Sequence, residues 1–237
     1  MKIKVMSFNV QHCMNYISRK IDFDCFADAI REVGADIVGL NEIRGEGEDR
    51  EEYQEQAKIL AEKLGFHYYF AEAIKFQGVN PYGNALISRY PIVSVEKVMV
   101  PDPEVRGYDG YYETRCLLKA KLDVNGERLT VCVIHFGLNP DEKENAAATV
   151  LKSIEDEKCV LMGDFNMTPD NPLFDPIRAR LYDTAELFKE PLLSCPSDFP
   201  TEKIDYIFTS RDIKVHSADI PAMIVSDHRP YLAEIEL

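Results

Sequence analysis

The sequence predicts an α+β protein in which two β-sheets pack face to face under covering helices. Three observations carry that expectation. Runs patterned as strands outnumber runs patterned as helices. Asn125–Gly126, set between two alternating apolar runs, marks an antiparallel hairpin. No linker or short-period repeat divides the 237 residues, so one domain over 1–237 is expected. Stacking the sheets beneath helices is how such elements bury their apolar faces.

In chain order, Ile3, Val5, Met6 and Phe8 mark a buried strand that ends at the polar Asn9. Phe23, Phe26, Ala27 and Ile30 recur at helical spacing, with Asp22 as the cap and Gly34 just past the end. A strand from Asp36 to Leu40 runs into Asn41–Glu42, and 44–50 reads as a loop. Tyr53, Ala57, Leu60, Ala61 and Leu64 mark a second helix, stopped by Gly65. A short strand is expected over 68–70, another over 82–88, and extended chain over 92–100. The segment 101–112 is irregular, aromatic and partly basic, the composition of a loop that contacts substrate.

The two-residue hairpin turn pairs Val124 with Glu127 and hence Cys116 with His135. That register puts His135 at the far end of the apolar face and Arg115 on the opposite face, so the two share a site only at the strand tips. Ala146, Ala147, Val150, Leu151 and Ile154 give a third helix. Lys158 to Met162 is a buried strand, and 171–193 holds short, proline-interrupted helices. Ile204 to Phe208 is a strand with an acid set inside it, Ile213 to Val215 opens another, and Tyr231 to Ile235 is the last.

A hydrophobic content of 46% and a charged content of 29% are ordinary for a soluble globular protein. No apolar run is long enough to span a bilayer, and the strand pattern begins at once, so no leader is expected. The six cysteines lack CxxC spacing, and Cys116, Cys132 and Cys159 fall inside apolar strands. These features predict a reduced, cytoplasmic protein, expected as a monomer. The net charge of −14 repels polyanions and counts against non-specific DNA binding. A bound divalent cation would reverse the sign locally.

Polar residues gather at predicted strand ends: Asn9, Glu42, His135, Asp164, Asn166 and Asp205, with Asp227 and His228 just before the last strand. Singly, each reads as a turn residue or a satisfied core group. Together they point to one pocket, because each is costly to desolvate without a partner. Their carboxylates and amides are hard oxygen ligands suited to Mg²⁺, Mn²⁺ or Ca²⁺. Zinc-spaced Cys/His clusters, HExxH, GxSxG and a P-loop are absent, against zinc proteases, serine hydrolases and NTPases. A histidine with an acidic partner beside a hard metal suits activation of water for attack on phosphorus.

Several stretches, in this order, resemble the endonuclease/exonuclease/phosphatase superfamily: Ser7–Phe8–Asn9–Val10, Asn41–Glu42–Ile43, Gly83–Asn84–Ala85–Leu86–Ile87–Ser88, His135, Gly163–Asp164–Phe165–Asn166, Ile204–Asp205–Tyr206–Ile207 and Ser226–Asp227–His228. The resemblance implies a four-layer α/β/β/α sandwich of two mixed, mostly antiparallel sheets, and metal-dependent cleavage of phosphate esters. It implies Glu42 as the main metal ligand, helped by Asn9 and Asp227. His228, oriented by Asp205, would act as general base or polarise the phosphate, and Asp164 would position or deprotonate the water. Asn166 and His135 would bind phosphoryl oxygens, and Arg115, Asn84 and Tyr82 are assigned to the substrate. Which of Asp164 and His228 takes the proton stays open. His135 looks like the branch of pancreatic-type deoxyribonuclease, sphingomyelinases and inositol-phosphate phosphatases, where the abasic-site repair branch carries Tyr. The expected function is a Mg²⁺-dependent phosphodiesterase or phosphatase acting on a small or lipid-like substrate. The alternatives are a nuclease acting on DNA or RNA and an inactive binding module of the same fold.

Overall fold

The computed structural model describes residues 1–237. The chain opens with β1 (Lys2–Asn9), β2 (Ile37–Arg44), β3 (His67–Phe76) and β4 (Asn80–Ser88). It continues with β5 (Ile92–Met99), β6 (Cys116–Val124), β7 (Glu127–His135) and β8 (Cys159–Asp164). It closes with β9 (Leu181–Asp183), β10 (Asp205–Ser210), β11 (Lys214–Asp219) and β12 (Tyr231–Glu236). One six-stranded sheet has the order β11-β12-β1-β2-β4-β3, and the other β5-β6-β7-β8-β10-β9. Only β1–β2 and β7–β8 pair in parallel, so both sheets are mixed and mostly antiparallel.

Four helices cover the outer faces: α1 (Phe23–Val33), α2 (Gln56–Leu64), α3 (Pro140–Ser153) and α4 (Asp175–Arg180). Three apolar clusters fill the spaces between layers. The central one joins the inner faces of both sheets, through Val5, Ile37, Leu118, Val133, Met162 and Ile207 among others. A second lies under α1 and α2, and a third under α3 and α4. This is the four-layer sandwich the sequence leads one to expect. Between the sheets, a Cβ on Gly39 would stand 2.6 Å from Met162 Sδ and 2.9 Å from Val133 Cγ2, so any larger residue would force the facing side chains to shift.

Local signals account for most boundaries. Asp22 caps α1 by accepting from Cys25 N, and Gly34 ends it in the left-handed region. Asn139 and Glu142 form a capping box at the start of α3, with Pro140 in the first turn. The hairpin register is as expected, Val124 opposite Glu127 and Leu117 opposite Ile134. Three expectations are corrected. The second helix starts at Gln56, leaving Tyr53 ahead of it. Strand β3 is ten residues long, because its half-exposed side chains hide the alternation. The three-residue β9, which adds an edge to β10, lies in a segment expected to hold only helices. No helix is long and apolar enough to cross a membrane.

Candidate active site

The two parallel pairs are each a strand–helix–strand crossover, β1–α1–β2 and β7–α3–β8. Ligand sites in α/β architectures form outside the carboxyl ends of such strands. Here the two sets of carboxyl ends open into one cleft of about 430 Å³. Its lining brings together Glu42, Tyr82, Arg115, His135, Asp164, Asn166 and His228. Asn9, Asp205 and Asp227 join the cluster through hydrogen bonds. In the ladders, His135 and Asp205 both stand opposite Asp164. Gly163 makes that approach workable: its φ is 150°, and a Cβ there would lie 1.8 Å from Ile134 O.

Asp164 is the hub. It is 1% exposed. Its Oδ1 accepts from Asn166 N at 2.9 Å, and its Oδ2 accepts from Asn9 Nδ2 at 3.0 Å. The same Asn9 amide donates to Glu42 Oε1 at 3.1 Å, so one side chain ties the two carboxylates together. Nε2 of His135 and of His228 stand 3.6 Å and 3.7 Å from Asp164 Oδ2. Burial pushes the Asp164 carboxyl up to about 7, against the downward pull of His228.

The two imidazoles are set in opposite states. Nδ1 of His228 lies 2.8 Å from Asp205 Oδ2. Burial alone would lower its pKa, but the charges of Asp205 and Asp164 outweigh it and hold the ring well above the ordinary value. His135 has Arg115 Nη1 at 2.9 Å from Nδ1. A guanidinium has no acceptor, so Nδ1 accepts and the proton sits on Nε2. Burial and then the Arg115 charge push His135 well below the ordinary value, so it is a neutral N–H donor. Asp205 is fully buried, and its Oδ1 has no partner.

Glu42 reaches the cleft by a different device. The β2–β4 register jumps between Leu40 and Ile43, and Glu42 has φ 57°. The residue is therefore the turn of a β-bulge inside a strand, not a strand end, and the bulge re-aims its carboxylate. Beside it, Gln11, His12 and Cys13 are consecutively left-handed, with φ of 42°, 60° and 57°. Such strain costs about 1–3 kcal/mol per residue and persists only where surroundings enforce it. Here His12 Nδ1 contacts Glu42 O at 3.2 Å, Gln56 Nε2 donates to His12 O at 2.9 Å, and Gln11 Nε2 donates to Asp227 Oδ2 at 2.6 Å. Burial raises the Glu42 carboxyl and Asp227 raises it further, while its side-chain hydrogen bond comes from the neutral amide of Asn9. Gln11 Oε1 is buried without a donor. Glu42, Asp227 and Gln11 thus present a set of oxygen donors that fits a hard divalent ion. Asp164, Asp205 and His228, with ligand atoms within 4.8 Å of one another, make a second candidate group.

Asn84, expected to touch substrate, lies beneath the floor and is 2% exposed. It accepts from Asn41 Nδ2 and donates to Cys116 O, each at 2.8 Å, which leaves its amide fully engaged. Asn41 in turn donates to Ile134 O and accepts from Asp164 N, both at 2.9 Å. Asn84 is therefore a brace, not a contact. Arg115 and His135 do meet, at the strand tips. Gln11 and His12 escaped the sequence reading, and Asn41 entered it only as part of the Asn41–Glu42–Ile43 motif, without a role; the signal for the other two was their adjacency to Asn9.

A two-sheet sandwich that gathers carboxylates, amides and imidazoles at joined strand ends suits hydrolysis of phosphate esters. A model of the Endonuclease/Exonuclease/phosphatase family matches residues 6–228, and the chain belongs to that family. Its members include phosphatases, nucleases and phosphodiesterases, mostly hydrolases of phosphate esters, and they generally use a divalent metal. The chain is 27% identical over 262 aligned positions to the Escherichia coli "Uncharacterized protein YbhP", covering 99% of this chain and 96% of that one. An endonuclease/exonuclease/phosphatase from Beutenbergia cavernae superposes with a TM-score of 0.78 at 21% identity, over 100% of this chain and 72% of the other. The Bacteroides thetaiotaomicron mannosyl-6-phosphatase Bt3783 superposes with a TM-score of 0.79 at 17% identity, over 99% and 100%. At these identities the structural likeness speaks to fold.

Proposed function

We propose that the protein is a divalent-metal-dependent phosphoesterase that hydrolyses a small or lipid-like phosphodiester or phosphomonoester by attack of water on phosphorus. The observation that supports this best is the Asn9 amide, which holds Glu42 and Asp164 in one array at the floor of the cleft. Glu42, Asn9 and Asp227, with Gln11, would hold the cation. Bound there, it would neutralise phosphate charge as a Lewis acid. We place it on this side because His228 Nδ1 is already engaged by Asp205.

The remaining roles divide by protonation state. Asp164, with its pKa near the working range, takes the proton from the attacking water. The His228 imidazolium donates to a phosphoryl oxygen, as do the neutral His135 Nε2–H and the Asn166 amide, so donors face the charge that grows in the transition state. The ester oxygen leaves with the bonding pair. Turnover of p-nitrophenyl phosphate and bis-p-nitrophenyl phosphate, with and without a chelator, tests the reading. Chelator-sensitive release of nitrophenol is expected, and no turnover with Mg²⁺ or Mn²⁺ refutes it.

A further inference from the structure

The loop between β5 and β6, expected to contact substrate, is clamped onto the first turn of α3. Asn139 Nδ2 donates to Tyr111 O at 3.0 Å, Tyr112 Oη donates to Asp141 Oδ2 at 2.8 Å, and Glu113 N donates to Glu142 Oε1 at 3.0 Å. Glu142 is buried, and its other oxygen closes the capping box by accepting from Asn139 N at 3.1 Å. A helix start and a loop thus share one acid, and the last residues of the loop are fixed by it.

What the clamp delivers is Glu113. Its Oε1 is ion-paired with Arg115 Nη1, and the same nitrogen lies 2.9 Å from His135 Nδ1. The two contacts differ in kind. Nη1 donates its hydrogen bond to the imidazole, which must accept because a guanidinium has no acceptor. Glu113 Oε1 takes no aligned hydrogen bond and holds the nitrogen from the side by charge. The side chains of Arg115 and Glu113 are 10% and 8% exposed, so each charge lacks water and depends on the other. Arg115 Nε is buried without an acceptor, so the guanidinium is not placed to satisfy all its donors. A competing pull exists in the cleft, because Glu42 lies within the field of Arg115 and a phosphate on the floor would add to it.

We infer that Glu113 is a positioning residue: its charge keeps the Arg115 guanidinium on His135 Nδ1, which holds the ring with Nε2–H facing the phosphoryl oxygens. Arg115 then supports a residue that touches the phosphate, and the loop is the support of that pair. This deepens the phosphoesterase reading and rests on it.

A double-mutant cycle on a nitrophenyl ester tests the role, with wild type, Glu113→Gln, His135→Phe and the double variant. Glu113→Gln keeps the shape and removes the charge. It should lower kcat about 10- to 100-fold, the scale of a lost outer support for a site residue, with KM little changed. In the His135→Phe background the same substitution should have almost no further effect, because the group it positions is gone. Circular dichroism and Tm verify that the variants fold. If Glu113→Gln does not, Arg115→Lys, which keeps a charge but loses the planar fork, takes its place in the cycle. Nitrogen-15 NMR of the imidazoles reads the contact without turnover. Wild type should show His135 Nδ1 as a hydrogen-bonded acceptor, and the substitution should move that signal. Fully additive losses in the cycle, or an Nδ1 signal unmoved in the folded variant, overturn the positioning role while leaving the phosphoesterase reading intact. Absence of turnover on every nitrophenyl ester overturns both.

Discussion

The two crossover units meet at the cleft with the same topology but opposite electrostatics. The β7–α3–β8 unit delivers Asp164, almost wholly buried at the cleft floor between two imidazoles and two amide donors, so its counter-groups are part of the fold. The β1–α1–β2 unit delivers Glu42 on a left-handed bulge, beside Asp227 and the unsatisfied Gln11 Oε1, with a neutral amide as its partner. One half is complete as folded. The other is an array of oxygen donors whose chemistry suits a hard divalent cation. The contrast supports the proposed division of the two carboxylates, one to handle the proton and one to hold the metal, according to what each half supplies as counter-charge.

Removing a charged group should break the comparison most visibly. His228→Ala or Glu42→Ala is expected to lower kcat/KM by about 10²–10⁴-fold, the usual scale for a single catalytic group. Steady-state kinetics on a nitrophenyl ester checks this. Asp205→Asn should lower kcat by a comparable factor, because the ring then loses the anion that orients and charges it.

A pH experiment sharpens the comparison. Without metal, Asp164 keeps its proton to about 7, well above the ordinary carboxylate value. The unfolded chain therefore releases that proton first. The group favours the folded state at low pH, and this contribution falls as pH rises from about 4 toward 7. Asp164→Asn cannot ionise, so its metal-free Tm should fall less over that window than that of wild type. Equal slopes would show that Asp164 is ionised throughout.

The smallest expected effect concerns the brace. Asn84→Ala removes one acceptor from the Asn41 amide and one donor from the Cys116 carbonyl, and should cost about 1–3 kcal/mol of stability. Urea denaturation reads that loss, and KM should move little because the side chain does not line the cleft.

Much of this site was legible because strand ends and polar residues coincide in the chain. Asn9, His135 and Asp164 each close a strand whose apolar pattern is plain. The rest was hidden for physical reasons. No residue type signals the left-handed φ of Glu42 or of Gln11–Cys13, since tertiary contacts impose it. The polarity of Asn84 reads the same whether it faces the cleft or the interior, and only the packing of the two sheets shows that it lies beneath the floor. Strand β3, aromatic and apolar over most of its length without a clean alternation, and the three-residue β9 carry too little periodicity to be read in isolation.

The central claim is that the Glu42 half holds the cation on which phosphate hydrolysis depends. Calorimetric titration of Mn²⁺ into the chelator-stripped protein, run in parallel on wild type and Glu42→Gln, tests it directly. The account predicts saturable binding to wild type that is weakened at least about tenfold in the variant, with activity restored in proportion to occupancy. Equal affinity in the two proteins, or full turnover by the stripped wild type, would contradict it.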